Sequence, residues 1–566
     1  MEKIWLKHYP AGVPAEVDLG SYRSVVALLE ESFARYRERE AYVCMGRGMS
    51  FGELDNLSRQ FAAFLQNKGL KRGDRVAVML PNVLQYPIAA AAVLRAGLIL
   101  VNVNPLYTPR ELKHQLNDSG AKAIVVMENF ATTVQQVAKE SPLEHIIVAS
   151  MGDLFGLIKG TIVNFMVRRV KKLVPAYSLP GAIGFNAALS EGARHELHSE
   201  ELNQEDIAVL QYTGGTTGVA KGAVLLHRSL IAALLASEAW LQPGLKRKRF
   251  DGQLSIVCAL PLYHVFAFVT CGLLGLRTGA RNILIPNPRD LGSVIDALKP
   301  YKINVFPAVN TLFNAIAHHP RVGELDFSAL LISNGGGTQI QEAVAKKWLE
   351  VTGCPIVEGF GLSESASGIT CNPTDSDAYT GTVGMPLPSA EVRLIDDNEN
   401  DVPFGQPGEI ALRSPQMMAG YWQRPEDTAA SMTRDGYFKT GDVAVCDEKG
   451  YFKIVDRKKD MILVSGFNVY PNEIEAVAAG CPGVLETCAI GVPDKNSGEA
   501  VKLFVVKKDP NLSVETVQKY LAEHLTGYKK PRHIEFRQDL PKTNVGKILR
   551  RELRDEEMKR QQAKTA

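Results

Sequence analysis

The 566-residue sequence predicts an α/β fold: a large N-terminal domain of layered α/β subdomains plus a β-barrel-like subdomain, followed by a small α+β C-terminal domain. Three observations predict it. Single cores stop growing near ~250–300 residues, so a chain of this length divides. Short β-rich apolar runs alternate with helical apolar spacing through the first ~390 residues, the pattern of parallel strands covered by helices. Beyond that the texture changes to short strands with tight turns, and from about 460 strands and helices alternate again over a stretch long enough for an independent domain.

In chain order, helical apolar spacing covers residues 51–70, and strands are predicted at 75–80, 123–127, 207–212, 255–260, 282–285 and 330–333. Thr108-Pro109-Arg110-Glu111 supplies a cap, a proline at the first helical position and a returning carboxylate, which start a helix. Residues 391–395, 409–412 and 443–455, the last turning at Glu448-Lys449-Gly450, read as the barrel-like strands. The last domain shows helices at 472–479 and 514–525 around a strand at 503–506, and the tail after Glu556 reads as frayed.

Composition excludes several functions. Sixty-four Lys and Arg against 62 Asp and Glu leave a net charge of +2, so no global field draws nucleic acid. The eight cysteines have no CxxC spacing and read as small core residues in a reducing compartment. The start, MEKIWLKHYPAG, lacks an apolar signal region, which predicts a cytoplasmic protein. Residues 252–276 contain no Asp, Glu, Lys or Arg and are long enough on paper to span a bilayer. Pro261, Tyr263 and His264 interrupt them, which favours a strand, a pocket-lining turn and a buried helix.

The strongest motif runs from Tyr212 to Gly222, directly after the apolar run 207–211. Gly214, Gly215 and Gly218 let backbone N–H groups turn toward an anion, Thr213, Thr216 and Thr217 add hydroxyl donors, and Lys221 adds charge. GxxxxGK[ST] is not met, which argues against a P-loop NTPase.

This loop resembles the phosphate-binding signature of the adenylate-forming superfamily, which includes acyl-CoA synthetases, luciferases and peptide-synthetase adenylation domains. Further motifs follow in that family's order. Ser333-Asn334-Gly335-Gly336-Gly337 resembles its adenine-side strand, and Glu358-Gly359-Phe360-Gly361-Leu362-Ser363-Glu364 its aromatic-Gly-x-Thr-Glu motif. Thr440-Gly441-Asp442 resembles the ribose turn, Asp456-Arg457-Lys458-Lys459-Asp460 the hinge, and the segment ending Gly546-Lys547 the C-terminal lysine loop.

The resemblance implies an N-terminal AMP-binding domain over 1–455, a hinge at 456–460 turning on Lys459, and a mobile C-terminal domain over 461–566. ATP, Mg²⁺ and coenzyme A are the implied cofactors. Glu364 is the implied Mg²⁺ ligand; read alone, it is an acidic residue in a helix first turn. Phe360 would stack on adenine, Asp442 and Arg457 would hold ribose, and Ser363, standing where the family usually has Thr, would reach the α-phosphate. Lys547 would contact the α-phosphate and carboxylate, His264 would sit near the acyl carboxylate, and Ser465, Gly466 and Phe467 would border coenzyme A.

Residues 461–475 and the ending 546–554 are similar to bacterial long-chain fatty acyl-CoA synthetases, which implies a fatty acid substrate. No carrier domain follows the lysine loop, so free coenzyme A is the expected acceptor. Medium-chain or aryl acids, a luciferase-like or peptide-synthetase adenylation enzyme, and a nucleotide binder without catalysis stay open. In residues 154–174, apolar residues recur at helical spacing beside Lys159, Arg168, Arg169, Lys171 and Lys172. Two readings stand: an interfacial helix making peripheral contact with a membrane, or a core or homodimer-contact helix with a solvated basic face.

Overall fold

The structure, a computed structural model, describes residues 3–213, 220–248, 250, 252–465, 467–494, 497–543 and 546–565. Its first large sheet has seven strands in the order Ile183–Gly184, His145–Ala149, Ala121–Met127, Arg75–Met79, Ile99–Asn102, Ile207–Thr213 and Lys221–Leu226, parallel except for the last. The second has nine: Met385–Pro386, Ser367–Cys371, Ile356–Leu362, Ile332–Gly335, Val305–Ala308, Ser255–Cys258, Arg281–Leu284, Glu40–Cys44 and Arg47–Ser50. Its centre is parallel and both ends antiparallel. Helices cover these sheets, so their central strands are apolar on both faces; Val76, Ala77, Val78 and Met79 are all fully buried.

The predicted helix starts hold. Thr108 accepts from Glu111 N while the Glu111 carboxylate accepts from Thr108 N (2.8 Å), and the helix Pro109–Ser119 ends at Gly120 in the left-handed region. The segment expected to be barrel-like is instead an open four-stranded antiparallel sheet: Glu391–Ile395, Gly408–Arg413, Phe438–Cys446 and Phe452–Arg457. It needs no closure because its inner face, including Val392, Leu394, Ile410 and Phe452, packs with Ile369 and Val383 from outside the sheet. The last sheet comprises Phe467–Val469, Ile462–Val464, Gly498–Lys507 and Val484–Asp494, with His533–Arg537 parallel to Gly498–Lys507.

The tail departs from the sequence reading. It forms a helix, Arg550–Thr565, pinned by buried Leu553 and by ion pairs from Glu556 to Arg537 and from Glu557 to Lys502, each at 2.7 Å. Residues 252–276 form the expected strand, turn and buried helical segment, and no helix among the described residues is long and apolar enough to cross a membrane. Residues 154–174 hold a helix, Leu157–Phe165, running into a π-helical turn, Met166–Val170. Its apolar side chains point outward, which removes the core reading of that segment.

The two large sheets meet at the turn that follows Ser255–Cys258. Buried Asn82 donates to Cys258 O and Leu260 O and accepts from Leu262 N, each at 2.8 Å. Tyr86 donates to Leu262 O at 2.7 Å, and Gln211, from the first sheet, donates to Tyr263 O at 3.1 Å. Five polar contacts thus fix the backbone that carries His264. Asn82→Ala leaves buried backbone groups unpaired, so it is expected to lower stability by roughly 2–4 kcal/mol. Denaturant midpoints read that loss, and a kcat decrease accompanies it because His264 loses its fixed position.

Candidate active site

A cavity of about 1930 Å³ opens where the sheets converge, larger than the ~300–1,000 Å³ that encloses one drug-sized ligand. Its lining includes the apolar side chains of Trp240, Leu241, Ile256, Leu274, Val305 and Ile332. Its lining also includes the polar His264, Ser363, Glu364, Asp442, Arg457 and Lys547.

Lys547 reaches this cavity on a loop docked against the N-terminal part. Gly546, next to it, holds φ at +79°, and a Cβ there would stand 2.5 Å from Thr311 Oγ1, so only glycine fits. Burial, then the neighbouring Arg457, push the Lys547 pKa down to about 8. Asp442 is 3% exposed; its Oδ1 meets Arg457 Nε at 2.9 Å, while its buried Oδ2 has no partner among the described residues. Burial raises the Asp442 pKa against the pull of Arg457 and Lys547. An orphaned carboxylate oxygen beside a guanidinium fits a ligand hydroxyl, as a ribose supplies.

His264 caps the short helix Val265–Ala267. Its Nδ1 accepts from Phe266 N (3.4 Å), which leaves the proton on Nε2. Burial and then Lys547 push its pKa down to about 4, so it is neutral and a donor at neutral pH. Glu364 does not begin a helix. It sits in the turn between Ile356–Leu362 and Ser367–Cys371, where Tyr421 Oη donates to Oε1 at 2.8 Å and burial raises its pKa. No group of three His, Cys, Asp or Glu that could hold a metal occurs among the described residues. A single hard carboxylate on the cavity wall nevertheless fits Mg²⁺, which takes one or two carboxylates and completes its shell with other oxygen ligands.

Most expected residues converge. Thr213 and Lys221 pair across the strands Ile207–Thr213 and Lys221–Leu226, and both line the cavity; Gly214, Gly215, Thr216, Thr217 and Gly218 lie outside the described residues. Lys221 meets Asp427 at 2.7 Å. Gly335, Gly336, Gly337, Gly359, Phe360 and Gly361 all line the cavity. Glu358 lines it too, but its carboxylate accepts from Ile340 N (3.1 Å) and Tyr379 Oη (3.3 Å), holding the glycine-rich turn; burial lifts its pKa to about 8. Lys459 lines the cavity near the chain's passage into the last sheet.

Ser465 and Phe467 are not brought there. Ser465 N donates to Ser497 O, and exposed Phe467 stacks on Tyr528 at 4.7 Å; Gly466 lies outside the described residues. Sequence reasoning missed Tyr379, Tyr421, Asp427 and Thr311. Each acts on a partner from a distant segment, and none stands in a periodic or motif context.

A hairpin carrying Thr213 and Lys221, a buried carboxylate oxygen left open beside Arg457, and Lys547 delivered from the last sheet's unit meet in this one cavity. The AMP-binding enzyme family matches residues 29–422, and the AMP-binding enzyme C-terminal domain matches 473–547; the chain belongs to this family. A long-chain-fatty-acid–CoA ligase of Escherichia coli O6:H1 is 53% identical over 98% of each chain. One from Bacillus subtilis is 35% identical over 98% of each chain. Among solved structures, the anthranilate CoA ligase AuaEII in complex with anthranoyl-AMP aligns with TM-score 0.83 at 25% identity, covering 95% of this chain and 98% of that one. ATP-bound MatB from Rhodopseudomonas palustris aligns at TM-score 0.78 and 27% identity, covering 94% and 98%.

A pH dependence follows from Lys547. Its charge is present below its pKa and lost as pH rises through about 8 in the free protein. Since kcat/KM reports the free enzyme, kcat/KM for ATP is expected to fall above pH ~8. Lys547→Arg, whose guanidinium stays charged, should retain weaker activity with that alkaline limb removed.

Proposed function

We propose that the chain is an ATP-dependent, AMP-forming long-chain fatty acid–CoA ligase, organised as an N-terminal domain over 1–455, a hinge at 456–460 and a C-terminal domain over 461–566. The observation that carries the reading is Lys547 and His264 meeting in one cavity that Trp240, Leu241, Ile256, Leu274, Val305 and Ile332 also line. A fatty acid's chain fits against these apolar side chains, and its carboxylate then faces the Nε2–H of His264 and the ammonium of Lys547. Relatives 53% and 35% identical along nearly the whole chain support the substrate class.

In the first step a carboxylate oxygen bonds to the α-phosphorus of ATP as the bond to the bridging oxygen breaks, and pyrophosphate leaves. Lys547 and Ser363 face the charge developing on the α-phosphate, Lys221 and Thr213 the leaving pyrophosphate, and Asp442 with Arg457 the ribose. Phe360 and the Gly335–Gly337 turn border adenine. Glu364 would hold Mg²⁺, which supplies neutralisation of the phosphate charge. In the second step the coenzyme A thiol attacks the acyl carbon, loses its proton, and AMP leaves.

Lys547 occupies the cavity while Ser465 and Phe467 stand outside it, which suits the first step. Rotation at Lys459 would withdraw Lys547 and bring Ser465, Gly466 and Phe467 to the coenzyme A side. The eight free, buried cysteines suit the cytoplasm as the working compartment.

Two variants test this. Lys547→Ala should cut acid-dependent pyrophosphate release by roughly 100-fold or more while a preformed acyl-adenylate still reacts with coenzyme A. Lys459→Pro fixes φ at the turning residue and should do the reverse. Equal loss of both half-reactions in both variants overturns the two-arrangement mechanism. Thioester formation across acids of graded length tests the substrate: a maximum at short or aryl acids overturns the long-chain assignment. In the same assay Ser237→Phe, which narrows the cavity, should penalise the longest acids most.

A further inference from the structure

The helical segment 157–170, with Leu173 just beyond it, is turned inside out. Leu157 is 91% exposed and Ile158 81%, with Ile162, Phe165, Met166, Val170 and Leu173 between 40% and 58%. The face toward the protein is made of Gly160, Asn164 and Val167 instead. Gly160 lies so close to Gly152 that a Cβ would stand 2.4 Å from Gly152 O, and Asn164 Oδ1 accepts from Gly152 N at 2.7 Å. Arg168 anchors the far end, at 2.7 Å from buried Glu128 and donating to Ser150 Oγ at 2.9 Å. The exposed apolar face is therefore held in place by a small, specific inner contact, and it does not result from a loose segment. At its near end Lys159 donates to Met45 O, and Met45, at a hairpin tip, adds another exposed apolar side chain.

Charge decides what covers this face. Residues 154–174 contain no acidic residue, and Lys159, Arg169, Lys171 and Lys172 are all exposed. A second copy seated on the same face would bring these cations together around an apolar centre. An anionic bilayer surface meets both features at once, taking the apolar side chains at the acyl boundary and the cations at the headgroups. We propose that this face docks the enzyme on anionic phospholipid membranes, lying in the interface without spanning it. Long-chain acids partition into such bilayers, so the substrate reading gives the docking a purpose, but the docking rests on this surface alone.

The test uses the full chain without substrates and sedimentation with vesicles of phosphatidylethanolamine and phosphatidylglycerol, against phosphatidylcholine alone. The wild type should bind the anionic vesicles, more weakly as salt rises. A variant carrying Leu157→Ser, Ile158→Ser, Ile162→Ser and Phe165→Ser should lose at least about tenfold in partition. Arg169→Glu with Lys171→Glu and Lys172→Glu should lose the preference for anionic vesicles; Arg168 is left intact because it pairs with Glu128. Unfolding midpoints and ligase activity on a short soluble acid should stay unchanged in both, which separates failed docking from a failed ligase reading. All eight native cysteines are buried, so a fluorophore on Phe165→Cys reports this face alone and should shift to the blue on anionic vesicles. Undiminished vesicle binding by the serine variant, no shift of the label, or a serine variant that turns a dimer into a monomer on size exclusion overturns the proposal.

Discussion

A buried charge imbalance governs the centre of this protein. Lys547 and Arg457 share one carboxylate, Asp442, in a place where burial depresses the lysine and raises the aspartate. Opposite charges this near should favour each other's ionised forms; desolvation outweighs that attraction in both groups. In the proposed reaction a phosphoryl group entering beside Lys547 would supply the missing negative charge. The site is therefore electrostatically incomplete without its ligand, and the unpartnered Asp442 Oδ2 is the hydrogen-bonding counterpart of the same condition.

That condition explains how the last sheet's unit is held. Asp456, fully buried at the end of Phe452–Arg457, accepts from Asn472 N at 2.8 Å, and Asp460 meets Arg554 at 2.7 Å. Arg550, at the start of the C-terminal helix, meets Glu475 at 2.7 Å and lies 3.7 Å from Asp460. These pairs bind the connection between the two units to the C-terminal side. Lys547 arrives from that side, where Gly546 passes close to the side chains of Thr311 and Val309. On the opposite wall, the His264 turn is fixed by both large sheets. A rigid wall facing a cation carried by the other unit is the arrangement that the proposed two-step chemistry would use.

The inside-out helix at 157–170 obeys the same physics in another solvent. Apolar residues turn away from water wherever they have somewhere to go. Here the inner face is taken by glycine and asparagine contacts that larger side chains would break, so the apolar face waits for an external partner.

The sequence by itself determined the class of fold, the order of the elements and most of the motif residues that line the cavity. Residues such as Thr108 with Glu111, or the glycines at 335–337, act through neighbours a few positions away, and such local rules are readable in a linear chain. Only the tertiary structure decided that Glu364 sits in a hairpin turn, that Glu358 is engaged with Ile340 and Tyr379, and that the strands 391–457 stay open. It likewise decided that the tail is pinned as a helix and that residues 157–173 face outward. Periodicity gives a helix an apolar face and leaves open which way that face points. Burial, charge balance and hydrogen-bond satisfaction depend on which distant segments meet, and that is settled only when the chain has folded.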